Sequence, residues 1–264
     1  MTTFWICLAA LAAGAVNAIA GGGTLLTFPA LIGAAGLSER AANVTSTVAL
    51  CPGSFAGMWG YRKELAECGR WVPLLTAPSV AGGIIGSLLL VLLDAAYFAA
   101  IVPWLVLLAA VLFLLQPRLV AWMQRHRPAG PPTKRALGVI LVAQFLIGVY
   151  GGYFGAGIGI LMLSSLGFLG LANIHQMNAL KSHLAFCMNA VSVAIFVIHG
   201  EIHWPYGLAM ASAAILGGFF GAKLALRMKP SWVRAVVIVV GFGLSAYFFW
   251  KRLGITAAAA LSAS

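Results

Sequence analysis

The sequence predicts an all-α integral membrane protein, organised as a polytopic bundle of helices. Of the 264 residues, 62% are hydrophobic and 8% are charged, and the mean hydropathy is +1.01. A soluble domain carries about a quarter charged residues and a little under half apolar ones. Too few polar side chains are present here to coat a water-exposed surface. A soluble fold, a disulfide-stapled secreted fold and a nucleic-acid-binding domain are therefore excluded.

The formal charge of +11 comes from 16 Lys and Arg against 5 Asp and Glu. In a membrane protein this excess has an ordinary cause, because Lys and Arg gather in short cytoplasmic loops and set the orientation. The charge therefore predicts a multi-pass protein whose environment is the lipid bilayer, with no nucleic acid as partner.

Two of the apolar spans are too long for one crossing. Charges and turn residues separate eight spans, at 4–36, 41–61, 71–93, 95–115, 136–172, 176–198, 204–226 and 231–250. A hydrocarbon layer needs about 20 helical residues, so the first and fifth spans exceed a single crossing. Each has a glycine cluster near its middle, at 21–23 and at 155–159. Both long spans are therefore predicted to break at their glycines.

The equal placing of these breaks indicates an internal duplication. At an offset of 134, Gly14, Gly21, Gly23 and Leu37 align with Gly148, Gly155, Gly157 and Leu171; at 135, Asn43, Gly82, Gly83 and Gly86 align with Asn178, Gly217, Gly218 and Gly221. Such a shared register is typical of repeats. The predicted domains are a first transmembrane repeat at 1–115, a basic, Pro-rich cytoplasmic linker at 116–135, and a second transmembrane repeat at 136–264.

Loop charges favour inverted repeats over parallel ones. With the linker inside, the inverted arrangement leaves 3 of the 16 Lys and Arg outside, and the parallel arrangement leaves 5. The inverted arrangement therefore agrees better with the positive-inside rule. It requires each long span to be a re-entrant hairpin or two crossings, and the sequence leaves that choice open.

Polar residues form a stripe on the second span and an equivalent stripe on the sixth. The spacing i, i+3, i+4, i+7, i+11 and i+14 puts each stripe on one helix face. The members are Asn43, Ser46, Thr47, Leu50, Ser54 and Gly57, matched by Asn178, Lys181, Ser182, Ala185, Asn189 and Ser192. The two stripes are predicted to line one central cavity. A cation within a span is costly, so Lys181 points to an anionic ligand, with snorkelling to the interface as the alternative.

The glycine breaks supply the other half of a predicted anion site, because a restarting helix presents backbone N–H groups and the positive end of its dipole. The candidate substrate-binding residues are Gly21, Gly22, Gly23, Asn43, Thr45, Ser46, Thr47, Gly155, Gly157, Asn178, Lys181 and Ser182. Hydrogen bonding between helices is the alternative role for the small polar residues. The glycines at 82, 83, 86, 217, 218 and 221 are assigned to close helix packing. His183 is assigned to helix packing or to proton coupling.

No catalytic motif occurs: HExxH, GxSxG and GxxxxGK[ST] are all missing from the sequence. We therefore predict that the protein is not an enzyme and that it uses no cofactor and no metal. His199 and His203 flank Glu201 at helical spacing, but they precede Trp204-Pro205 in what we interpret as a surface turn.

Several segments carry a family likeness. The first half reads GAVNAIAGGGTLLTFP at 14–29, ANVTST at 42–47 and GMWGY at 57–61, and the second half has GGYFGAG at 151–157 and GGFFGA at 217–222. Over nearly its whole length the chain resembles the TauE/SafE family of membrane permeases, also called sulfite exporters. Where relatives often have Thr-Ser in both repeats, this second repeat has Lys181-Ser182.

The resemblance implies secondary transport of a small sulfur-containing anion, such as sulfite, thiosulfate or an organosulfonate, across a bacterial inner membrane. The residues alone point to a small anion bound near the midplane, with alternating access between two repeats. A passive anion channel fits the same features, and a membrane-embedded sulfur-relay protein using Cys51 and Cys187 is the alternative from another class. The identity of the anion, the direction of transport, the coupling ion and a homo-oligomeric state are left open.

Overall fold

The chain folds into helices, as its composition predicts. The computed structural model describes residues 1–19, 21–126, 132–171, 173–199, 201–225 and 231–262, and no strand occurs among them. The first half contains α1 (Thr2–Ile19), α2 (Thr24–Gly33), α3 (Glu39–Gly60), α4 (Arg62–Glu67), α5 (Trp71–Leu92) and α6 (Ala95–Arg125). The second half contains α7 (Lys134–Tyr153), α8 (Ile158–Leu166), a 3-10 turn (Gly167–Leu169), α9 (Ile174–His199), α10 (Trp204–Ala225) and α11 (Ser231–Ser262).

Four helices in the described residues are long and apolar enough to cross a membrane by themselves. These segments are Trp71–Leu92, Ala95–Trp122, Lys134–Tyr153 and Ile174–His199. The second of them belongs to α6, which continues to Arg125, so the first part of the predicted 116–135 linker is helical. Residues 127–131 of that linker lie outside the described residues.

Both long apolar spans break where the glycine clusters predict. α1 ends at Ile19 and α2 begins at Thr24, and α7 ends at Tyr153 and α8 begins at Ile158. The two helix ends close in the same way. Gly21 N–H donates to the Val16 carbonyl oxygen at 2.9 Å, and Gly155 N–H donates to the Tyr150 carbonyl oxygen at 3.1 Å. Each bond spans five residues.

The same two glycines have left-handed backbone angles, with φ +72° at Gly21 and φ +79° at Gly155. A residue with a Cβ is strained in this region, and glycine is not. The chain can therefore leave the helix axis at these points and start a second, short helix.

The helices that carry the polar stripes, α3 and α9, run in opposite directions. Near the start of α3, Arg40 forms an ion pair at 2.7 Å with Glu201, which follows the end of α9. At the other end of the pair, Gln176 near the start of α9 donates to Glu67 Oε2, beyond the end of α3, at 2.9 Å. Opposite directions for equivalent helices are what an inverted repeat requires.

Contacts between the halves occur in matched pairs. α1 packs on α10 and α7 packs on α5; α3 packs on α10 and α9 packs on α5; α2 contacts α11 and α8 contacts α6. Each contact has a counterpart when α1 is equated with α7, α2 with α8, α3 with α9, α5 with α10 and α6 with α11. This pattern favours the duplication, which stays a prediction.

Close packing is the role of the glycines on α5 and α10, and this prediction is confirmed. A Cβ built on Gly82 or Gly86 would overlap backbone of α7, at the carbonyl oxygens of Phe145 and Val149. A Cβ on the equivalent Gly217 would overlap the Leu11 carbonyl oxygen of α1. Small residues let helix backbones approach closely in membranes, where burial of apolar area adds little.

Candidate functional site

The two helix breaks and the two polar stripes meet around one small cavity. Its walls are formed by Asn17, Ala18, Gly21, Thr24, Thr47, Leu50, Gly53, Ser54, Gly57, Gly151, Phe154, Gly155, Ile158, Gly159, Lys181, Ser182, Ala185 and Asn189. Four residues of each predicted stripe line this cavity, and the other four stripe residues, Asn43, Ser46, Asn178 and Ser192, do not. Its volume is about 30 Å³. A cavity needs roughly 10–15 Å³ to hold one water, so the space suits a very small solute.

The breaks cross each other at the cavity. Gly21 lies so close to Gly159 that a Cβ on Gly21 would overlap the backbone there. Gly155 faces the same space, near the Thr24 hydroxyl. Gly157 instead lies against α6. A Cβ on Gly157 would sit 3.6 Å from the Cα and Cβ atoms of Ala109.

Asn17 occupies the N–H groups of the first break. Its Oδ1 accepts from Gly22 N–H at 2.9 Å and from Gly23 N–H at 2.6 Å. The expectation that Gly22 and Gly23 present free donors to an anion is therefore wrong in this conformation. The Asn17 amide oxygen therefore satisfies backbone N–H groups that have no partner within a helix at the break.

On α3, Thr47 is the predicted binding residue that reaches the cavity. Its hydroxyl donates to the Asn43 carbonyl oxygen at 3.0 Å, and the Asn43 side chain donates to the Tyr153 carbonyl oxygen, at the end of α7, at 3.0 Å. Thr45 accepts from His203 N–H at 3.0 Å, and Ser46 shares a hydrogen bond of 2.5 Å with Thr27 on α2. Asn43, Thr45 and Ser46 therefore tie helices together.

Lys181 is buried in the cavity wall, with 1% of its surface exposed. Its Nζ donates to the Ala18 carbonyl oxygen at the end of α1, at 3.2 Å, and to Asn178 Oδ1, at 3.1 Å. Both acceptors are neutral, and no acid pairs with Lys181 in the described part of the chain. Burial also argues against snorkelling. An ammonium carries three N–H donors, so one is left for a ligand.

Ser182 adds a hydroxyl to the same wall. The residue is 5% exposed, and its Oγ has no hydrogen-bond partner among the residues that the structure describes. A buried hydroxyl without a partner costs free energy, and a ligand in the cavity would recover that cost.

The remaining predicted residue, His183, faces away from the cavity. Its Nε2 lies 2.9 Å from Thr76 Oγ1 on α5 and 3.6 Å from Cys187 Sγ. These contacts fit a packing role better than a place at the cavity. No group of three or more His, Cys, Asp and Glu in the described residues is arranged to hold a metal ion.

Sequence reasoning left Asn17 and Thr24 out of the candidate residues, and it put Asn189 on the α9 stripe with hydrogen bonding between helices as the alternative role. Asn189 donates to Ser54 Oγ at 3.2 Å across the cavity, so the expected hydrogen bond between helices is present and lies in the wall. A signal for Asn17 was available, because an amide inside an otherwise apolar span is costly and rare.

Comparison with known proteins agrees with this architecture. The sequence pattern of the sulfite exporter TauE/SafE family matches residues 6–248. The chain belongs to this family.

Relatives of this TauE/SafE chain are named as transporters. A probable membrane transporter protein of Haemophilus influenzae is 30% identical over 238 residues, covering 90% of both chains. Probable membrane transporter protein YfcA of Escherichia coli K12 is 30% identical over 248 residues, covering 93% of this chain and 88% of YfcA. Probable membrane transporter protein ORF9 of Sinorhizobium is 29% identical over 241 residues, covering 90% of this chain and 88% of ORF9. No solved structure gives a significant match.

The family and these relatives indicate a multi-pass membrane transporter. The resemblance noted from the sequence motifs is thereby confirmed.

Proposed function

We propose that the protein is a secondary transporter, not an enzyme, that moves a small sulfur-containing anion across the bacterial inner membrane by alternating access. Sulfite, thiosulfate and small organosulfonates are the substrate class, and the family description supports that class. The central cavity is the proposed binding site.

The observation that carries the proposal is the Lys181 ammonium in the cavity wall, bonded to neutral oxygens alone. A cation in the middle of a membrane protein costs on the order of 3 kcal/mol on insertion scales. An anionic ligand would recover this cost on binding, and a neutral or cationic solute would not. The charge therefore favours an anion.

Neighbouring groups suit an oxyanion. The unpartnered Ser182 hydroxyl and the Thr24 hydroxyl face the same space as the ammonium. Oxyanions accept several short hydrogen bonds, and charge-assisted ones are roughly twice as strong as neutral ones. Organosulfonates are larger than sulfite and would require the cavity to widen.

Alternating access requires the two ends of the α3–α9 pair to open in turn. One end is held by the Arg40–Glu201 ion pair and the other by the Gln176–Glu67 hydrogen bond. Both contacts join α3 or α4 of the first half to α9 or the residues that follow it. Rocking of one half against the other would break the contact at one end of the pair and keep the contact at the other end.

The test is uptake by liposomes that contain the purified protein. Radiolabelled or enzymatically detected sulfite, thiosulfate, taurine and chloride would be compared, with protein-free liposomes as the control. We expect saturable uptake of one or more sulfur anions and no comparable flux of chloride. Uptake of chloride at the same rate, or of none of the sulfur anions under any imposed gradient, would contradict the proposed substrate class.

A second measurement separates the carrier from a passive channel. An imposed proton or sodium gradient should drive a carrier to accumulate its anion above the outside concentration, whereas a channel cannot be coupled to another ion's gradient. Flux that only dissipates the anion's own electrochemical gradient would favour the channel.

A further inference from the structure

A second feature lies on the outer surface of the bundle, away from the central cavity. Pro52, Phe55, Ala56 and Trp59 of α3 and Ile215 and Phe219 of α10 form an open apolar groove of about 450 Å³. Phe55, Trp59 and Ile215 are exposed. In a membrane this surface faces the acyl chains.

Two cations border the groove at one end. The Arg62 guanidinium lies 5.6 Å from the ring centre of Trp59, and Lys223 Nζ lies 4.2 Å from the ring centre of Phe219. Both rings belong to the groove, so both cations stand at its rim. In the described residues neither cation is in an ion pair. Contact with the ring faces holds each side chain in place.

The equivalent positions in the other half do not repeat this arrangement. At the offset of 135 the counterparts of Trp59 and Phe219 are Ala194 and Ile84, and those of Arg62 and Lys223 are Val197 and Leu88. The helix packing needs neither the aromatic rings nor the cations, because the α5–α9 contact forms without them.

We propose that the groove binds an anionic phospholipid of the bilayer, with an acyl chain along the α3–α10 groove and the phosphate between Arg62 and Lys223. Charge complementarity selects this occupant, since a zwitterionic lipid offers the two cations no net negative charge. Basic residues near the membrane surface attract anionic lipids. Trp59 is in the last turn of α3, and indole rings are enriched where membrane helices meet the headgroups.

The predicted orientation puts this site in the cytoplasmic leaflet. Arg62 begins α4, in the connection between α3 and α5 that also contains Lys63 and Arg70, and the loop charges assign this connection to the inside. The proposal concerns lipid binding and does not depend on the transported solute.

Native mass spectrometry of the delipidated protein tests the site. Phosphatidylglycerol and phosphatidylcholine with identical acyl chains would be titrated against the parent and against the double variant Arg62→Gln, Lys223→Gln. We expect the parent to bind the first phosphatidylglycerol roughly tenfold more tightly than phosphatidylcholine. In the double variant the preference should fall to near one, with phosphatidylcholine binding unchanged.

The matched control is Lys63→Gln, Arg70→Gln, which removes the same number of positive charges, from the segment that contains Arg62. Arg70 also lies over an indole, 4.6 Å from the ring centre of Trp71, but outside this groove. This control should keep the lipid preference. An equal loss in the control would show a general effect of net charge and overturn the site, as would a preference retained in the double variant.

A third variant, Ile215→Trp, fills the groove and leaves both cations. It should weaken the first binding event of both lipids while the ratio between them stays near the parent value. Unchanged affinity for phosphatidylglycerol in this variant would mean that the acyl chain lies elsewhere and would also overturn the proposal.

Discussion

The two halves of the chain differ at Ser46 on α3 and Lys181 on α9, which the predicted duplication makes equivalent. Ser46 bonds to Thr27 within its own half, at 2.5 Å. Lys181 crosses to the other half and donates to the Ala18 carbonyl oxygen. The counterpart of Thr27 is Leu161, so the second half has no hydroxyl that could bond a serine there.

The breaks differ in the same sense. Asn17 satisfies two N–H groups of the first break, whereas the equivalent position in the second half is Gly151, which has no side chain. In the second half Tyr150 instead donates to the Ala156 carbonyl oxygen, at 2.7 Å.

The candidate site is therefore asymmetric, although the helix contacts of the two halves occur in matched pairs. In the first half Ser46 and Asn17 bond to groups of their own half, and the second half brings two donors, Lys181 and Ser182, to the cavity. Changes to Lys181 or Ser182 should therefore alter ligand binding, whereas a change to Ser46, the equivalent of Lys181, should alter stability.

The largest expected contrast is all-or-none and tests the orientation of the α3–α9 pair in the membrane. Ser38→Cys and Arg70→Cys place exposed thiols beyond opposite ends of the α3–α9 pair. A membrane-impermeant thiol reagent on intact cells should label the first variant and miss the second until the cells are permeabilised. The parent measures background, and the reverse pattern would overturn the orientation.

The native Cys68 is unsuited to that experiment, although it lies in the same loop as Arg70. It is 2% exposed, and its thiol donates to the carbonyl oxygens of Glu64 and Gln176. Burial, with a smaller contribution from the Glu67 charge, raises the pKa of Cys68 to about 11. Because the thiolate is the reactive form, Cys68 should stay unlabelled near neutral pH from either side.

A large stability effect is expected from Gly22→Val and a smaller one from Gly157→Ala. A Cβ on Gly22 would overlap the buried ring of Phe113, so the variant overpacks the core, at a cost of about 1–3 kcal/mol or more. Gly157 has ordinary space around a Cβ, and its φ of +77° alone costs about 1–2 kcal/mol. Melting temperatures of the purified variants measure the difference.

The equivalent of Gly22 is Ala156, which shows that a methyl group fits in the second half. Equal melting temperatures for the two variants would mean that the break tolerates side chains and that the contact with α6 is unimportant.

An effect on affinity of roughly tenfold, about 1.4 kcal/mol, is expected for Lys181→Met. This substitution keeps the apolar stem and removes the charge, so insertion should be normal while anion binding weakens. Lys181→Arg should keep part of the activity if charge is what matters. Uptake in liposomes over a range of anion concentrations gives the affinity.

The control is Lys63→Met, which removes an exposed lysine outside the cavity and should leave affinity unchanged. Unchanged affinity in Lys181→Met itself would show that Lys181 only ties α9 to the end of α1.

The smallest effects are expected for two serines on α9. Ser182→Ala removes a hydroxyl that has no partner in the described part of the chain, so anion affinity should fall severalfold, by about 0.5–1.5 kcal/mol, with little change in stability. Ser192→Ala removes a 2.7 Å hydrogen bond with Ser87 on α5, so stability should fall by about 1 kcal/mol with affinity unchanged. Affinity and melting temperature, measured on both variants, would show the opposite pattern if the cavity lay on the Ser192 side.

Local patterns determined much of this protein. Composition decided the all-α membrane fold, and the glycine clusters at 21–23 and 155–159 decided where the two long spans break. Helical spacing on α3 and α9 put eight residues around one cavity. These features follow from chain length, backbone freedom and helix periodicity, which act within one segment and can be read from it.

Tertiary structure decided which of the polar groups are already satisfied. Asn17 folds back on Gly22 and Gly23, and Ser46 finds Thr27 on another helix. Lys181 meets the end of α1, which is 163 residues away in the chain. Spacing along a helix predicts the face of a side chain but not its partner, because the partner comes from whichever distant helix packs there. The division between occupied groups and those left for a ligand therefore arises only when the halves come together.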